Sequence, residues 1–236
     1  MRSERRSVGG RRNAPTATAG RIGLALALLC AGTLATGVTG CTRAYYSAME
    51  KVGQHKRDIL RSRIEAGRED QQEAQAQFET AYERFAEAAH YDGGDLESVY
   101  TQLNREYERS VARAEDVSER IESIEKVAGD LFEEWEDETD LYESESLRAS
   151  SRKSLRETRD RYAKLIAAMQ RAESKMPPVL NAFRDQVLFL KHNLNARAIA
   201  SLEGSLGEIE DDVASLIRDI GASIKESERF LETLSG

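Results

Sequence analysis

Between residues 96 and 135, Tyr100, Leu103, Tyr107, Ser110, Ala114, Val117, Ile121, Ile124, Ala128, Leu131 and Trp135 recur in alternating steps of three and four. A helix puts such a series on one face, and a repeat of 3.5 residues winds that face against partner helices. A helix of this length cannot bury its stripe alone, so the chain must supply further long helices or a second copy. Asp95 precedes the stripe as a natural N-cap, because its carboxylate can accept orphan N–H groups of the first turn.

The rest of the chain repeats the pattern. Tyr45, Met49, Val52, Ile59, Ile64, Phe78, Ala81, Tyr82 and Phe85 form a sparser stripe, thinned by polar residues at 71–77. A third stripe runs through Leu155, Tyr162, Leu165, Met169, Ala172, Met176, Val179, Phe183, Val187, Leu190 and Leu194. A fourth holds Leu206, Ile209, Val213, Leu216, Ile220, Ile224, Leu231 and Leu234. The chain has only 3 Pro in 236 residues, a helix-permitting composition. Strong punctuation is confined to Asp92-Gly93-Gly94-Asp95 and Pro177-Pro178, with weaker breaks at 143–146 and 204–207.

The seam keeps its register across Pro177-Pro178, which favours one kinked helix there, although a new helix started by Pro also fits the pair. The expected helices are about 44–90, 95–142, 147–202 kinked at Pro177, and 205–234. The fold class is therefore all-α, an elongated antiparallel helical bundle with coiled-coil-like seams, whose first two helices would each be about 70 Å long. Acids gather at the end of the second helix (Glu133, Glu134, Glu136, Asp137, Glu138, Asp140) and bases at the starts of the first and third. Each placement opposes the helix dipole, so an antiparallel arrangement that brings these three ends together is expected.

The first 40 residues read differently. Arg2, Arg5, Arg6, Arg11, Arg12 and Arg21 precede an apolar run over residues 22–38, and Val38-Thr39-Gly40-Cys41 closes it. A charged region, a short apolar region and small residues before a Cys are the features of a bacterial lipoprotein signal peptide. The run is short for a spanning helix and carries Gly and Thr. Residues 1–40 are expected to be removed, leaving 41–236 as a lipid-anchored rod with acyl chains (palmitate class) on Cys41. Thr42, where an Asp would favour inner-membrane retention, points to the periplasmic face of the outer membrane. Removal of six Arg and one Glu takes the formal net charge from -8 to about -13. Such acidity argues against a nucleic-acid partner. Neither Cys30 nor Cys41 then remains for a disulfide.

Few residues suggest chemistry. Glu87 and His90 have the Glu-x-x-His spacing of di-iron bundles, but such a site needs a second copy, and His55 and His192 lack the Glu. No metal site and no cofactor are expected. His55, Lys56 and Arg57 form either a partner contact near the membrane or a solvated helix face. Lys191, His192, Asn193 and Asn195, between apolar Leu190 and Leu194, fit a buried polar layer that fixes register, an exposed stripe or a partner contact. No nucleotide loop or nucleophile motif is present in the sequence, so an enzyme is not expected.

Three stretches resemble a family of bacterial lipoproteins carrying domain of unknown function 2959. They are Ala44-Tyr45-Tyr46-Ser47-Ala48-Met49-Glu50-Lys51-Val52-Gly53-Gln54-His55-Lys56-Arg57-Asp58-Ile59-Leu60, Tyr91-Asp92-Gly93-Gly94-Asp95-Leu96, and Val187-Leu188-Phe189-Leu190-Lys191-His192-Asn193-Leu194-Asn195-Ala196. The resemblance implies a proteobacterial-type envelope and a role for the His55 and His192 segments in the fold or its partner. It brings no established activity. The expected function is that of a helical scaffold, spacer or regulator, held to the membrane by acylated Cys41 and acting on a protein or cell-wall partner. The alternative is a periplasmic carrier that binds a lipid or other small ligand between helices, lined by residues 71–77 and 191–195.

Overall fold

The computed structural model describes residues 56–235 apart from Asp92. Four helices follow one another: α1 (Lys56–Ala89), α2 (Leu96–Thr139), α3 (Glu145–His192) and α4 (Ala196–Ser235). Each packs on its neighbours in sequence, and α1 also packs on α4, which closes an all-α four-helix bundle. At 1.5 Å per residue they run about 50, 65, 70 and 60 Å.

Local chemistry sets most boundaries. Gly94 has φ +116, a left-handed backbone that favours glycine, and a Cβ there would displace only the hydroxyl end of the Tyr91 side chain, 2.5 Å away. Asp95 then caps α2, its Oδ1 accepting from the Glu97 N–H at 3.1 Å. Ser144 caps α3 by accepting from the Leu147 N–H at 3.4 Å.

Helix α3 is continuous through Pro177 and Pro178. Both prolines face solvent while Met176 and Val179 on either side are buried. The carbonyls that lose an amide partner therefore lie toward water, and the core seam is undisturbed. Two expected boundaries are corrected. Helix α3 ends at His192 and not near Leu202, and α4 begins at Ala196 and not at Ser205. Asn193 donates from Nδ2 to the Phe189 carbonyl at 3.0 Å, and Asn195 Oδ1 accepts from the Arg197 N–H at 2.9 Å. These bonds satisfy helix-end groups locally, as Asn does at caps and turns. Gly204 and Gly207, at the expected break, lie inside α4 on its exposed side. There each costs about 1 kcal/mol relative to Ala without ending the helix.

The core changes character along the bundle. Phe183 of α3 stacks on Phe85 at 4.5 Å and on Phe78 at 6.4 Å, both from α1. Toward the other end Tyr162 meets Phe132 edge-on at 5.4 Å and Phe230 at 6.1 Å, joining α2, α3 and α4. Between these layers the buried residues of α1 include Gly67, Gln71 and Ala74. A Cβ on Gly67 would lie 3.0 Å from Ile124 Cδ1 and 3.0 Å from Met169 Cε, so α1 approaches α2 and α3 closely there.

Candidate functional site

The residues singled out from the sequence separate to opposite ends of the bundle. Cys41 and His55 lie outside the described residues. Lys56 opens α1, with Nζ 3.0 Å from Glu134 Oε2 and 3.4 Å from the Asp130 carbonyl, and its side chain is only 15% exposed. Arg57 beside it faces solvent. The acidic end of α2 is met from α3 as well, by Arg159 on Glu136 at 2.7 Å and Arg152 on Asp140 at 2.8 Å. Arg159 also lies over the Phe132 ring at 5.6 Å. The three charged helix ends thus converge, and the bases supply the compensation that acids at a helix C-terminus need.

Lys191, His192 and Asn195 are exposed and Asn193 half-buried, in the turn between α3 and α4. This corrects the buried polar layer. The segment closes a helix instead, because Asn193 and Asn195 bond to backbone groups and no core surrounds them. About 50 Å of helix separates it from Lys56, taking Arg159 as level with the first turn of α1. His90 lies exposed in the turn after α1, and Glu87 pairs with Arg84 at 2.7 Å. Among the described residues no group of His, Cys, Asp and Glu is arranged to hold a metal ion. A recess between α1 and α2, lined by Arg63, Asp70, Asp116, Glu119, Arg120 and Ser123, is a charged surface feature. The pairing of Arg120 Nε with Asp70 Oδ2 at 2.7 Å spans the same helix pair.

Three features escaped the sequence reading. First, Gln71 is fully buried, and neither its Oε1 nor its Nε2 has a hydrogen-bond partner among the described residues. Ser223 Oγ is in the same position. Gln186 bonds Ser205 at 3.0 Å and Tyr162 packs on Phe230, a register that sets Ser223 level with Met169 and Gly67, one turn from Gln71. Second, Glu106 is buried but satisfied, accepting from Gln77 Nε2 at 3.0 Å and Arg109 at 3.0 Å. Third, among the described residues the large exposed hydrophobics fall at the two ends: Leu141, Tyr142 and Leu147 at the α2–α3 turn, and Leu188, Phe189 and Leu194 at the α3–α4 turn. A 3.5-residue pattern could not show the first, because Gln at a seam position looks like an interruption. The third was visible as apolar residues beside breaks.

The fold defines an antiparallel four-helix bundle with charged sides and apolar ends, and none of its described helices is long and apolar enough to cross a membrane. Residues 45–234 match the model of the family described as Protein of unknown function (DUF2959), and the chain belongs to that family. No curated protein and no solved structure matches it.

Proposed function

We propose that the chain is a non-enzymatic lipoprotein of a two-membrane cell envelope, tethered through acylated Cys41 to the periplasmic face of the outer membrane. Its helical rod spaces, scaffolds or regulates a periplasmic, cell-wall or membrane partner. The observation that carries this reading is the placement of the exposed large hydrophobics. The six among the described residues lie at the two ends of a bundle whose sides are charged and whose helices run about 50–70 Å. A body whose long sides are solvated and whose ends are apolar suits contact at its ends. The lipoprotein signal supplies the tether for one end. Leu188, Phe189 and Leu194, with Lys191 and His192 beside them, form the distal contact surface.

The test is in-cell photo-crosslinking from a probe at Leu194, combined with membrane fractionation of the wild type and Cys41→Ala. A discrete protein or cell-wall adduct in the outer-membrane fraction, with Cys41→Ala retained as an unprocessed and mislocalised precursor, is expected. Normal fractionation of Cys41→Ala would overturn the anchor, and an accessible probe that captures nothing would overturn the scaffold.

A second reading, a carrier of a lipid or small ligand, is favoured by one observation: the amide of Gln71 and the hydroxyl of Ser223 lie buried without hydrogen-bond partners among the described residues. Native mass measurement of the delipidated protein would then show polypeptide plus ligand. Polypeptide mass alone argues for the scaffold.

A further inference from the structure

The two apolar ends of the bundle are opposite in charge. We propose that they join copies of this chain head to tail, the α3–α4 turn of one copy docking on the α2–α3 turn of the next. The proposal rests on the end-contact reading above and deepens it, by naming a second copy as the partner of the distal surface.

Local composition sets the two ends apart. Residues 133–147 hold eight Asp or Glu and no Lys or Arg, and Leu141, Tyr142 and Leu147 lie exposed among them. Lys56, Arg152 and Arg159 reach in from α1 and α3 to pair with Glu134, Asp140 and Glu136. Glu133, Asp137, Glu138, Glu143 and Glu145 stay exposed with no ion pair among the described residues. At the other end, residues 186–202 hold Lys191 and Arg197 and no Asp or Glu, a reversal of sign in a chain with 42 acids against 34 bases. Both cations are exposed beside Leu188, Phe189 and Leu194, and neither has an ion pair among the described residues.

The charges select which ends meet. Three large apolar side chains in an acidic surround are matched by a surface that buries them and brings cations to the rim, and the α3–α4 turn has both properties. Two acidic ends in contact, or two basic turns, set like charges opposite one another, so identical ends do not pair. The acids of the α2–α3 turn disfavour an anionic lipid surface there for the same reason. Helix α3, 48 residues and about 70 Å long, separates the two surfaces, so one copy cannot join its own ends. Contact between unlike ends is heterologous and extends as an open row, with a repeat of about 70 Å. The tips of a four-helix bundle offer less than the about 1,600 Å² of a standard interface, so each junction is weak and calls for covalent capture in cells.

The test co-expresses in cells the full chain carrying a photo-reactive amino acid at Leu194 and a tagged full chain without it, and maps adducts by peptide mass. The expected product joins residue 194 to a peptide within residues 133–156 of the tagged copy, and a probe at Leu147 gives the reciprocal adduct within 184–202. Lys191→Glu with Arg197→Glu in the probe-bearing copy should reduce the adduct at least tenfold, with the circular dichroism of the purified variant unchanged. Asp137→Lys with Glu138→Lys in the tagged copy should restore it. An adduct between two α3–α4 turns, an adduct to a phospholipid, persistence of the crosslink in the first double variant, or failure of the second to restore it would each overturn the head-to-tail contact. An adduct to another protein or to the cell wall alone would overturn it while leaving the end-contact reading in place, and an accessible probe that captures nothing would overturn both.

Discussion

Replacing Gln71 by Met should make the protein more stable. Gln71 is fully buried in the closely packed middle of α1, one turn from Gly67, and both polar atoms of its amide lack a hydrogen-bond partner among the described residues. Desolvating an amide without a partner costs about 1–3 kcal/mol on the scale of protein mutational data. Met has nearly the same length and shape, fills irregular gaps, and matches Gln in helix propensity, so packing and backbone terms almost cancel. The net expectation is a gain of about 1–3 kcal/mol. For a bundle of this size each kcal/mol raises Tm by about 2–4 °C, so an increase of about 3–10 °C follows. Denaturant titration followed by circular dichroism should show a higher midpoint with an unchanged slope, the signature of a stability change alone. Gln71→Ala provides the opposite sign, because removing the side chain opens a cavity and should destabilise. If Gln71→Met instead lost 1 kcal/mol or more, the amide would be hydrogen-bonded in solution to water or ligand, and the carrier reading would gain at the expense of the reasoning used here.

Phe183→Ala removes the ring stacked between Phe85 and Phe78 and should cost about 3–5 kcal/mol, read as a fall in Tm of about 10 °C or more; a fall under 3 °C would contradict the stack as a core element. Gly67→Val adds a branched side chain where a Cβ alone would meet Ile124 Cδ1 and Met169 Cε at 3.0 Å, and should lose about 1–3 kcal/mol by overpacking. Gly67→Ala should be near neutral, because a helix-propensity gain of about 1 kcal/mol opposes the smaller clash. Burial first, and then the charge of Glu125, push the Tyr162 phenol well above its ordinary value of 10.0. The folded state therefore holds a proton that the unfolded state releases, so this contribution is constant below about pH 10 and stability falls as pH rises beyond it. Ultraviolet titration should show one phenol ionising last, absent in Tyr162→Phe, and simultaneous ionisation of all tyrosines would refute the shift.

Helix identity was legible because the seams are long. Leu103, Ser110, Val117, Ile121, Ile124 and Ala128 of the α2 stripe are all buried, and its remaining members are half-buried. The α3–α4 turn lies at Asn193–Asn195 and not at the glycines of 204–207, because asparagine ends a helix here where glycine does not. Gly204 and Gly207 tolerate an exposed helical face, whereas Asn193 and Asn195 carry side chains that can replace helix-end hydrogen bonds. Periodicity is also blind to satisfaction. It ranks Gln71 and Glu106 alike as polar interruptions, yet Glu106 has Gln77 and Arg109 as partners and Gln71 has none among the described residues. That difference arises from residues of other helices and exists only once the register between helices is known.

What fixes that register is a separate question from what stabilises the bundle. Apolar seams repeating every seven residues fit one another nearly as well after a slip of one heptad, so burial alone leaves neighbouring registers close in energy. The polar contacts discriminate. Lys56 on Glu134, Asp70 on Arg120, Glu73 on Arg113 and Gln77 on Glu106 tie α1 to α2 along its length. Ser118 on Glu173 at 2.5 Å, Gln170 on Glu125 at 2.6 Å and Arg159 on Glu136 do the same between α2 and α3. Each exposed pair contributes about 0–1 kcal/mol, too little to hold the fold. A slip of one heptad breaks the whole set together. The penalty then accumulates over every contact, and the half-buried members, such as Lys56 and the Asp70–Arg120 pair, add desolvation costs on losing their partners. Weak contacts distributed along long helices thus specify one alignment of seams that the hydrophobic repeat leaves degenerate.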